Sequence, residues 1–358
     1  MRMTTIDRNH PERSRLPRLG PIILVLTTVL VVLISAIHFY YRTFTPVIRL
    51  QGKKEAFIHI PSGSGFRDVI RLLQDEGKLK SPGNFRWLAE RKHYVTRVKP
   101  GKYRLRDGMT NNELVNMLRS GKQTPVRITI QNIRTPMDLA GRIGRQLECD
   151  SIELASVFSN NELLAGYGVT PATVFALIIP DSYEFWWTTT ASQFLARMKR
   201  EQERFWRKQR KMQADSLRMT ISEIVTLASI VEKESNRNEE KPIIAGVYLN
   251  RLHRGIPLQA DPTVIFAWKD YSIKRILKRH TEISSPYNTY RFAGLPPGPI
   301  CLPSVASIDA VLRPDKHDYL YFCAREDLLG YHRFARTLDE HLQNARRYQK
   351  ALNNLKIF

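Results

Sequence analysis

An uncharged run near the amino terminus limits what this chain can fold into more than any other feature of the sequence. Residues 19–41 contain no charged side chain, and residues 21–37 read PIILVLTTVLVVLISAI. About 20 such residues in a helix cross the hydrocarbon core of a bilayer. Residues 38–42 read HFYYR, which places aromatic rings and a basic residue where a membrane interface would lie. We therefore predict a single transmembrane helix over residues 19–41.

A cleaved signal peptide is the alternative for this run. Its apolar region would contain about 7–15 residues and would end in small residues. This run is longer and ends in three aromatic residues. Five arginines precede it, a slight excess of basic residues that favours an N-terminus inside the cell. We predict a cytoplasmic tail over residues 1–18 and a retained anchor, with the rest of the chain outside the plasma membrane.

The composition is that of a globular protein with an unusual charge. The 358 residues suffice for two modest domains, and 42% apolar and 25% charged residues exclude a disordered chain or a polytopic membrane protein. The net charge of +22 implies an anionic partner: nucleic acid, an acidic membrane face or another polyanion. Three cysteines make neither a disulfide framework nor a zinc site built from cysteines alone, and the sequence does not decide whether Cys301 and Cys323 pair.

A weak repeat follows the anchor. Residues 63–73 (GSGFRDVIRLL) and 108–118 (GMTNNELVNML) both combine a turn, a helix start and apolar residues at helical spacing. Each helix should stop near a glycine, Gly77 or Gly121. Strand-like pieces flank them at residues 56–60, 101–105 and 125–131. We predict a small α+β module that is either a structural spacer or a glycan-binding module.

Two further segments each have an ordinary and a functional interpretation. Residues 180–187 (PDSYEFWW) follow a strand-like piece over residues 174–179, and their aromatic rings either bind sugars or, more commonly, belong to the core. Residues 194–218 predict a basic helix with nine Lys or Arg and three acidic residues. This helix is either a solvated amphipathic helix or one that rests on anionic lipid headgroups.

A buried helix further along the chain carries the candidate chemistry. Residues 220–223 (TISE) fit a capping box, so we predict a helix that starts there and continues through residue 235. Its body is apolar nearly all round, which predicts burial. Glu232 and Glu234 lie at its end. Burial without a partner raises the pKa of a carboxyl, and an acid that is protonated near neutral pH can act as a general acid.

The two glutamates point in different directions because they are two residues apart on a helix. Glu234 lies over apolar neighbours, which makes it the better candidate for a raised pKa. The alternative is that both acids only form ion pairs at the helix end, with Lys233, Arg237 or Arg251.

The segments that follow suit an uncharged polyhydroxy ligand. A second helix is predicted over residues 238–253, and an extended piece over residues 257–264 (PLQADPTV). Residues 285–290 (SPYNTY) and 294–300 (GLPPGPI) add hydroxyls, amides, rings and rigid prolines. Amides and hydroxyls can bind sugar hydroxyls. No Cys/His metal spacing, phosphate loop or nucleotide glycine motif is present, so no metal or cofactor is expected.

Four runs in this order resemble the YceG-like family. They are residues 228–234 (ASIVEKE), 258–264 (LQADPTV), 287–290 (YNTY) and 294–300 (GLPPGPI). The resemblance covers about residues 20–350, while the strong basicity and the basic helix depart from the usual pattern. It implies an α+β fold: an N-terminal transmembrane helix, a small LysM-like module over residues 55–131, and a YceG-like α+β catalytic domain over residues 132–358.

The resemblance also implies an activity and a site. The family acts as a peptidoglycan lytic transglycosylase, a lyase that cleaves the β-1,4 bond between N-acetylmuramic acid and N-acetylglucosamine, leaves 1,6-anhydro ends, and so terminates or trims nascent strands. Its catalytic glutamate corresponds to Glu234, and the Glu234-Ser235 pair is similar to that of other lytic transglycosylases. Supporting or substrate-binding roles are predicted for Glu232, Ser235, Gln259, Asp261, Tyr287, Asn288 and Tyr290. Asp261 is alternatively a simple turn residue before Pro262.

The implied location decides between the anionic partners. In a bacterial inner membrane, with the catalytic domain in the periplasm, the partners are peptidoglycan glycan strands and the plasma membrane, and peptidoglycan synthases are further candidates. Nucleic acid is not expected on that side. The alternative function is a non-catalytic peptidoglycan-binding scaffold in which the two glutamates are only structural.

Overall fold

The chain forms two compact units that divide between Thr124 and Pro125. The computed structural model describes residues 19–76, 78–273 and 275–354. The predicted tail over residues 1–18 and the predicted helix stop at Gly77 therefore lie outside the described residues. The predicted functional domains, 55–131 and 132–358, stay a prediction, because compactness alone does not define a functional boundary.

The first unit begins with a long apolar helix, α1 (Leu19–Phe44). From Gly20 to Phe44 it is long and apolar enough to cross a membrane, and none of its most apolar stretch is buried against protein. The helix is as the sequence predicts, except that it continues three residues past Tyr41.

The last turn of α1 is fixed to the rest of the first unit. The side-chain amide of Asn111 donates to the carbonyl oxygens of Arg42 and Asn84, both at 2.8 Å. Val47 and Ile48, a few residues beyond the helix, are already in the core. The chain therefore passes from the helix into folded protein without a free linker.

The rest of the first unit alternates strands and helices. After α1 come β1 (Glu55–Ile60), α2 (Phe66–Asp75), α3 (Pro82–Arg91), β2 (Gly101–Arg106) and α4 (Asn111–Ser120). β1 and β2 pair antiparallel with Ile58 opposite Tyr103, and both side chains are buried. The two helices of the sequence repeat are α2 and α4. α4 ends at Gly121, whose φ of +73° is one that glycine adopts without strain.

The second unit is mainly helical, with two short strand pairs among its described residues. Its elements are β3 (Val126–Ile130), α5 (Pro136–Gly144), α6 (Ser151–Ser159), α7 (Asn161–Ala165), a 3-10 turn (Val174–Leu177), β4 (Asp181–Phe185), α8 (Ala191–Phe205), α9 (Gln209–Ser216), α10 (Ile221–Glu234), α11 (Lys241–His253), α12 (Asp261–Trp268), a 3-10 turn (Lys278–Glu282), α13 (Val305–Leu312), β5 (Tyr321–Ala324), β6 (His332–Ala335) and α14 (Leu338–Asn354). β3 pairs with β4, and β5 pairs with β6, both antiparallel.

Two strand predictions need correction. The strand predicted over residues 125–131 exists as β3, but it pairs with β4 and so belongs to the second unit. The strand predicted over residues 174–179 is wrong, because Val174–Leu177 forms a 3-10 turn whose four side chains are buried. A short apolar run fits a buried helical turn as well as a strand, and periodicity cannot separate the two.

Two helix predictions and one extended piece also change. The single basic helix over residues 194–218 is two helices, α8 and α9, because Lys208 between them has a φ of +50°, outside the right-handed helical region. The second predicted helix, α11, starts at Lys241 rather than at residue 238. The piece predicted as extended over residues 257–264 turns into α12 at Asp261. Pro262 fits there because the first turn of a helix needs no N–H from it.

The buried helix α10 is the centre of the second unit. Its side chains Ile224, Leu227, Ile230 and Val231 are fully buried, and it packs against α11, α12 and α13. The hydroxyl of Ser229 accepts a hydrogen bond from the backbone N–H of residue 300 at 3.0 Å, which ties the proline-rich loop to the helix. Packing on several sides fixes the position of the residue at its end.

Candidate active site

Glu234 is the last residue of α10. The capping box formed by Thr220 and Glu223 sets where the helix starts, and its buried body sets its direction. Tyr248 on α11 donates a hydrogen bond from its hydroxyl to Oε1 of Glu234 at 2.5 Å. The carboxyl is thus held by two helices, with a phenol rather than a cation as its partner.

The surroundings of Glu234 favour the protonated form of its carboxyl. Burial is the main cause that raises the pKa of Glu234 to about 7; the hydrogen bond from Tyr248 opposes the rise, and the negative charge of Asp261 adds to it. A carboxyl with such a pKa is protonated in roughly half of the molecules at neutral pH. It can therefore both donate and accept a proton during one reaction.

Glu232 lies in the opposite electrostatic environment. Its Oε2 accepts hydrogen bonds from the hydroxyls of Ser304 at 2.6 Å and Ser307 at 2.5 Å, and from Nζ of Lys241 at 3.0 Å. Burial alone would raise the pKa of Glu232, but these three donors together lower it. Ser304 caps α13, so this carboxylate joins α10 to α11 and α13. Of the two glutamates, only Glu232 forms an ion pair with a described residue, and its partner is Lys241 rather than one of the cations predicted from the sequence.

Glu234 lies between two cavities. One has a volume of about 430 Å³ and is lined by α11, the start of α12, residue 290 and β5, and the other, of about 420 Å³, is lined by residues 235–237 and the β5–β6 hairpin. Both are lined by Glu234, Ala324 and His332. An extended ligand that occupies both cavities would cross the carboxyl of Glu234.

Several of the predicted supporting residues line these cavities. Gln259, Asp261 and Tyr290 line the first cavity, and Ser235 lines the second. The hydroxyl of Tyr290 donates to Oδ1 of Asp261 at 2.5 Å, and Arg251 donates to Oε1 of Gln259 at 2.6 Å. Asp261 is thus a carboxylate in the first turn of a helix beside Glu234, and the simple turn role does not describe it.

Tyr287, Asn288 and Glu232 line neither of these two cavities. Asn288 is fully buried, and its side-chain amide donates to the carbonyl oxygens of residues 281 and 283 at 2.9 and 2.8 Å. The ring of Tyr287 packs against that of Phe266, with the ring centres 4.7 Å apart. These two residues shape the loop that presents Tyr290 and do not face the cavities themselves.

Two polar contacts at the site were not predicted from the sequence. The first is the hydrogen bond from the Tyr248 hydroxyl to Glu234. Tyr248 lies three residues before Arg251, so both side chains are on the same face of α11, and this spacing could have indicated it. His332 was also missed: its Nδ1 lies 2.8 Å from Oε2 of the buried Glu240, and its backbone N–H donates to Oε1 at 2.8 Å. Because 92 residues separate this pair, no local spacing could have revealed it.

The described residues contain neither a cluster of metal-ligating side chains nor a disulfide. Among the described residues, no group of three or more His, Cys, Asp and Glu side chains is arranged to hold a metal ion. Cys149, Cys301 and Cys323 are free thiols. Burial raises the pKa of the Cys301 thiol to about 12, which keeps it protonated and unreactive.

The fold and the site belong to a known class: the chain is a member of the YceG-like family, whose model matches residues 58–347. It is similar to the endolytic murein transglycosylase of Bacillus subtilis (strain 168), with 28% identity over 336 residues that cover 90% of this chain and 92% of that protein. An endolytic murein transglycosylase of Streptococcus pneumoniae is 29% identical over 312 residues, 77% of this chain but 55% of that longer protein. A crystal structure of a YceG-like protein from Listeria monocytogenes matches with a TM-score of 0.54 and 29% identity over 82% of this chain and 99% of that one.

Proposed function

We propose that this chain is a membrane-anchored lyase, an endolytic lytic transglycosylase that cleaves the β-1,4 bond between N-acetylmuramic acid and N-acetylglucosamine in peptidoglycan. The observation that carries the proposal is the Glu234 carboxyl, with a pKa of about 7, between two cavities. A cavity on each side accommodates a strand that continues in both directions, as cleavage within a strand requires. The names of the bacterial relatives support the same activity.

The proposed reaction needs one carboxyl that acts first as a general acid and then as a general base. Protonated Glu234 donates its proton to the glycosidic oxygen as the bond from this oxygen to the muramyl C1 breaks. The muramyl C6 hydroxyl then bonds to C1, and its proton passes to the Glu234 carboxylate, which closes the 1,6-anhydro ring and restores the acid. The nucleophile belongs to the substrate, so its effective concentration is high. Ordinary glycosidases need a second carboxylate because their nucleophile or base comes from the protein.

The neighbours of Glu234 assist both steps. The Tyr248 hydroxyl stabilises the carboxylate formed in the first step, and the negative charge of Asp261 favours the positive charge that develops at C1. Tyr290 holds Asp261, and Arg251 with Gln259 offers donors and acceptors to sugar hydroxyls and N-acetyl groups. These roles need no metal or cofactor.

The first unit would place this chemistry beside the cell wall. In the proposed topology α1 crosses the bacterial inner membrane, residues 1–18 are cytoplasmic and the second unit is periplasmic. The order β1–α2–α3–β2 supports the proposal of a LysM-like module that binds glycan. Peptidoglycan synthases are proposed partners because an enzyme that cleaves nascent strands acts where those strands are synthesised.

The test is digestion of purified sacculi by the full-length protein in detergent, with mass spectrometry of the released fragments. We expect products that end in 1,6-anhydro-N-acetylmuramic acid. Products with reducing muramyl ends would instead show hydrolysis, with Asp261 as the second carboxylate. Binding to sacculi without any released product would favour the scaffold function.

The proposed topology predicts the result of a fusion experiment. A reporter that is active only outside the cytoplasm, fused after Phe358, should be active, because the uncharged run with five arginines before it orients the N-terminus inward. The same reporter placed before Met1 should be silent. An inactive C-terminal reporter on a stably expressed fusion would contradict both the topology and access to the wall.

The hydrogen bond from Tyr248 predicts a change in pH dependence. This bond stabilises the charged form of Glu234, so Tyr248→Phe should raise the pKa of Glu234 from its present value of about 7. The alkaline limb of kcat/KM, where the acid loses its proton, should move up by about one pH unit or less, and the maximal rate should fall about tenfold because the carboxylate loses its donor. The measurement is the pH profile of anhydro-product release.

Tyr287→Phe is the matched control for this variant, because Tyr287 is packed against Phe266 outside both cavities. Its pH profile should equal that of the parent. A downward shift of the alkaline limb in Tyr248→Phe would show that the phenol acts on Glu234 in the opposite sense.

A further inference from the structure

A third cavity lies on the second unit apart from the two that contain Glu234. It has a volume of about 550 Å³, within the range of about 300–1,000 Å³ that is typical of ligand pockets. We call it the Trp186 groove. Its lining residues are Pro125, Glu184, Phe185, Trp186, Thr189, Gln193, Arg197 and Arg200. It shares no residue with the cavities beside Glu234.

One wall of the groove is an exposed tryptophan. The side chains alternate along β4 and through the residue that follows it, so Tyr183 and Phe185 are buried while Glu184 and Trp186 face outward. The indole of Trp186 is 52% exposed, whereas its neighbour Trp187 packs against the core. An exposed ring of this size offers a flat apolar face beside polar groups, which is the surface that a sugar ring with one apolar face can stack on.

The other wall is one face of helix α8. Gln193, Arg197 and Arg200 are four and three residues apart, which places them on the same face of the helix. Nε of Arg197 pairs with Glu201 at 2.6 Å, and the Arg200 guanidinium has no ion pair or hydrogen bond with any of the described residues. An unpaired guanidinium can bind a carboxylate through two parallel hydrogen bonds.

We propose that the Trp186 groove is a second binding site for the substrate polymer, in which Trp186 stacks on an amino sugar and Arg200 binds a carboxylate carried by the polymer. The proposal rests on the proposed function, because peptidoglycan is a chain of amino sugars that bears acidic stem peptides. Glu184 in the same groove is acidic, and it faces sugar hydroxyls as an acceptor. Two separate sites on one unit would let a strand stay bound while one of its bonds is cut.

The test compares groove variants in the full-length protein that also carries Glu234→Gln, so that bound glycan is not cleaved. Three probes are used: purified sacculi in co-sedimentation, a soluble glycan fragment with stem peptides, and an uncharged oligosaccharide of N-acetylglucosamine. Trp186→Ala should weaken binding of all three about tenfold. Arg200→Gln should weaken binding of the peptide-bearing fragment and leave binding of the uncharged oligosaccharide unchanged.

The matched control is Ile152→Ala, which removes another large apolar side chain, 77% exposed, that lies outside the groove. It should bind all three probes like the parent. The proposal would be overturned if Trp186→Ala bound sacculi as well as the control does. The proposed function is judged separately, by release of anhydro products from the protein with native Glu234.

Discussion

Glu234→Gln is expected to abolish release of 1,6-anhydro products from peptidoglycan. Glutamine keeps the shape of the side chain and can still accept the hydrogen bond from Tyr248, but it cannot deliver a proton. General acid–base help is worth about 10²–10⁴-fold in rate. Because one residue here serves as acid and then as base, the loss should lie at or above the upper end of that range. The measurement is mass spectrometry of muropeptides after digestion of sacculi.

Thermal unfolding at two pH values is the control for Glu234→Gln. The folded-state pKa of about 7 lies above the ordinary value of a glutamate, so folding favours the protonated acid. Below the unfolded pKa both states hold the proton. As the pH rises from there to about 7, the unfolded state loses its proton while the native state keeps it, so the native parent is progressively destabilised, and no further stability is lost above the folded pKa. The variant should therefore melt at a similar temperature at pH 4 and at a higher temperature than the parent at pH 8. A variant that keeps near-normal activity would remove Glu234 from the mechanism.

The second large effect is expected from Glu232→Ala, and it is an effect on stability. The change removes the acceptor for Ser304 and Ser307 and leaves the ammonium of Lys241, which is 5% exposed, without its partner. Breaking a buried ion pair in this way costs about 3 kcal/mol or more. The melting temperature of the unit should fall by roughly 6–12 °C. Calorimetry or circular dichroism measures it.

The pH dependence of this stability has the opposite sign to that of Glu234. The pKa of Glu232 is lowered, so its contribution is present above the unfolded value of a glutamate and is lost as the pH falls through the folded value. Parent and Glu232→Ala should therefore converge in acid. Glu203→Ala, which removes an exposed partner of Lys199, should change the melting temperature little. Glu232→Gln should keep more activity than Glu234→Gln, and the reverse order would exchange the roles of the two acids.

Local signals in the sequence predicted the position of the central glutamates. These signals lie within 15 residues: the capping box, the apolar body of α10 and the two acids at its end. Each of them is present in the helix as the structure shows it. The environment that distinguishes Glu234 from Glu232 depends on other helices. Tyr248 reaches Glu234 from α11, and the serines that hold Glu232 come from the start of α13, more than 70 residues later. Such partners follow from packing, which a pattern along one segment does not contain.

The errors in the secondary structure have a similar origin. Residues 174–177 are apolar and short, and only their burial on all sides shows that they form a helical turn. The break between α8 and α9 occurs at Lys208, a residue type that gives no warning of a positive φ. β3 was predicted correctly as a strand, but its partner β4 lies about 50 residues further along the chain, and sequence alone gave no pairing.

The attachment of α1 has a consequence for where the first unit would lie once α1 crosses a membrane. Asn111 donates a hydrogen bond to the last turn of α1, and the core of the first unit starts within a few residues of that turn. With α1 in a bilayer, the first unit would stay close to the lipid, because no flexible linker separates it from the helix. Any glycan that the first unit contacts would then be glycan that lies next to the membrane. In this sense the anchor would set which layer of the wall the first unit meets, without any residue that recognises that layer.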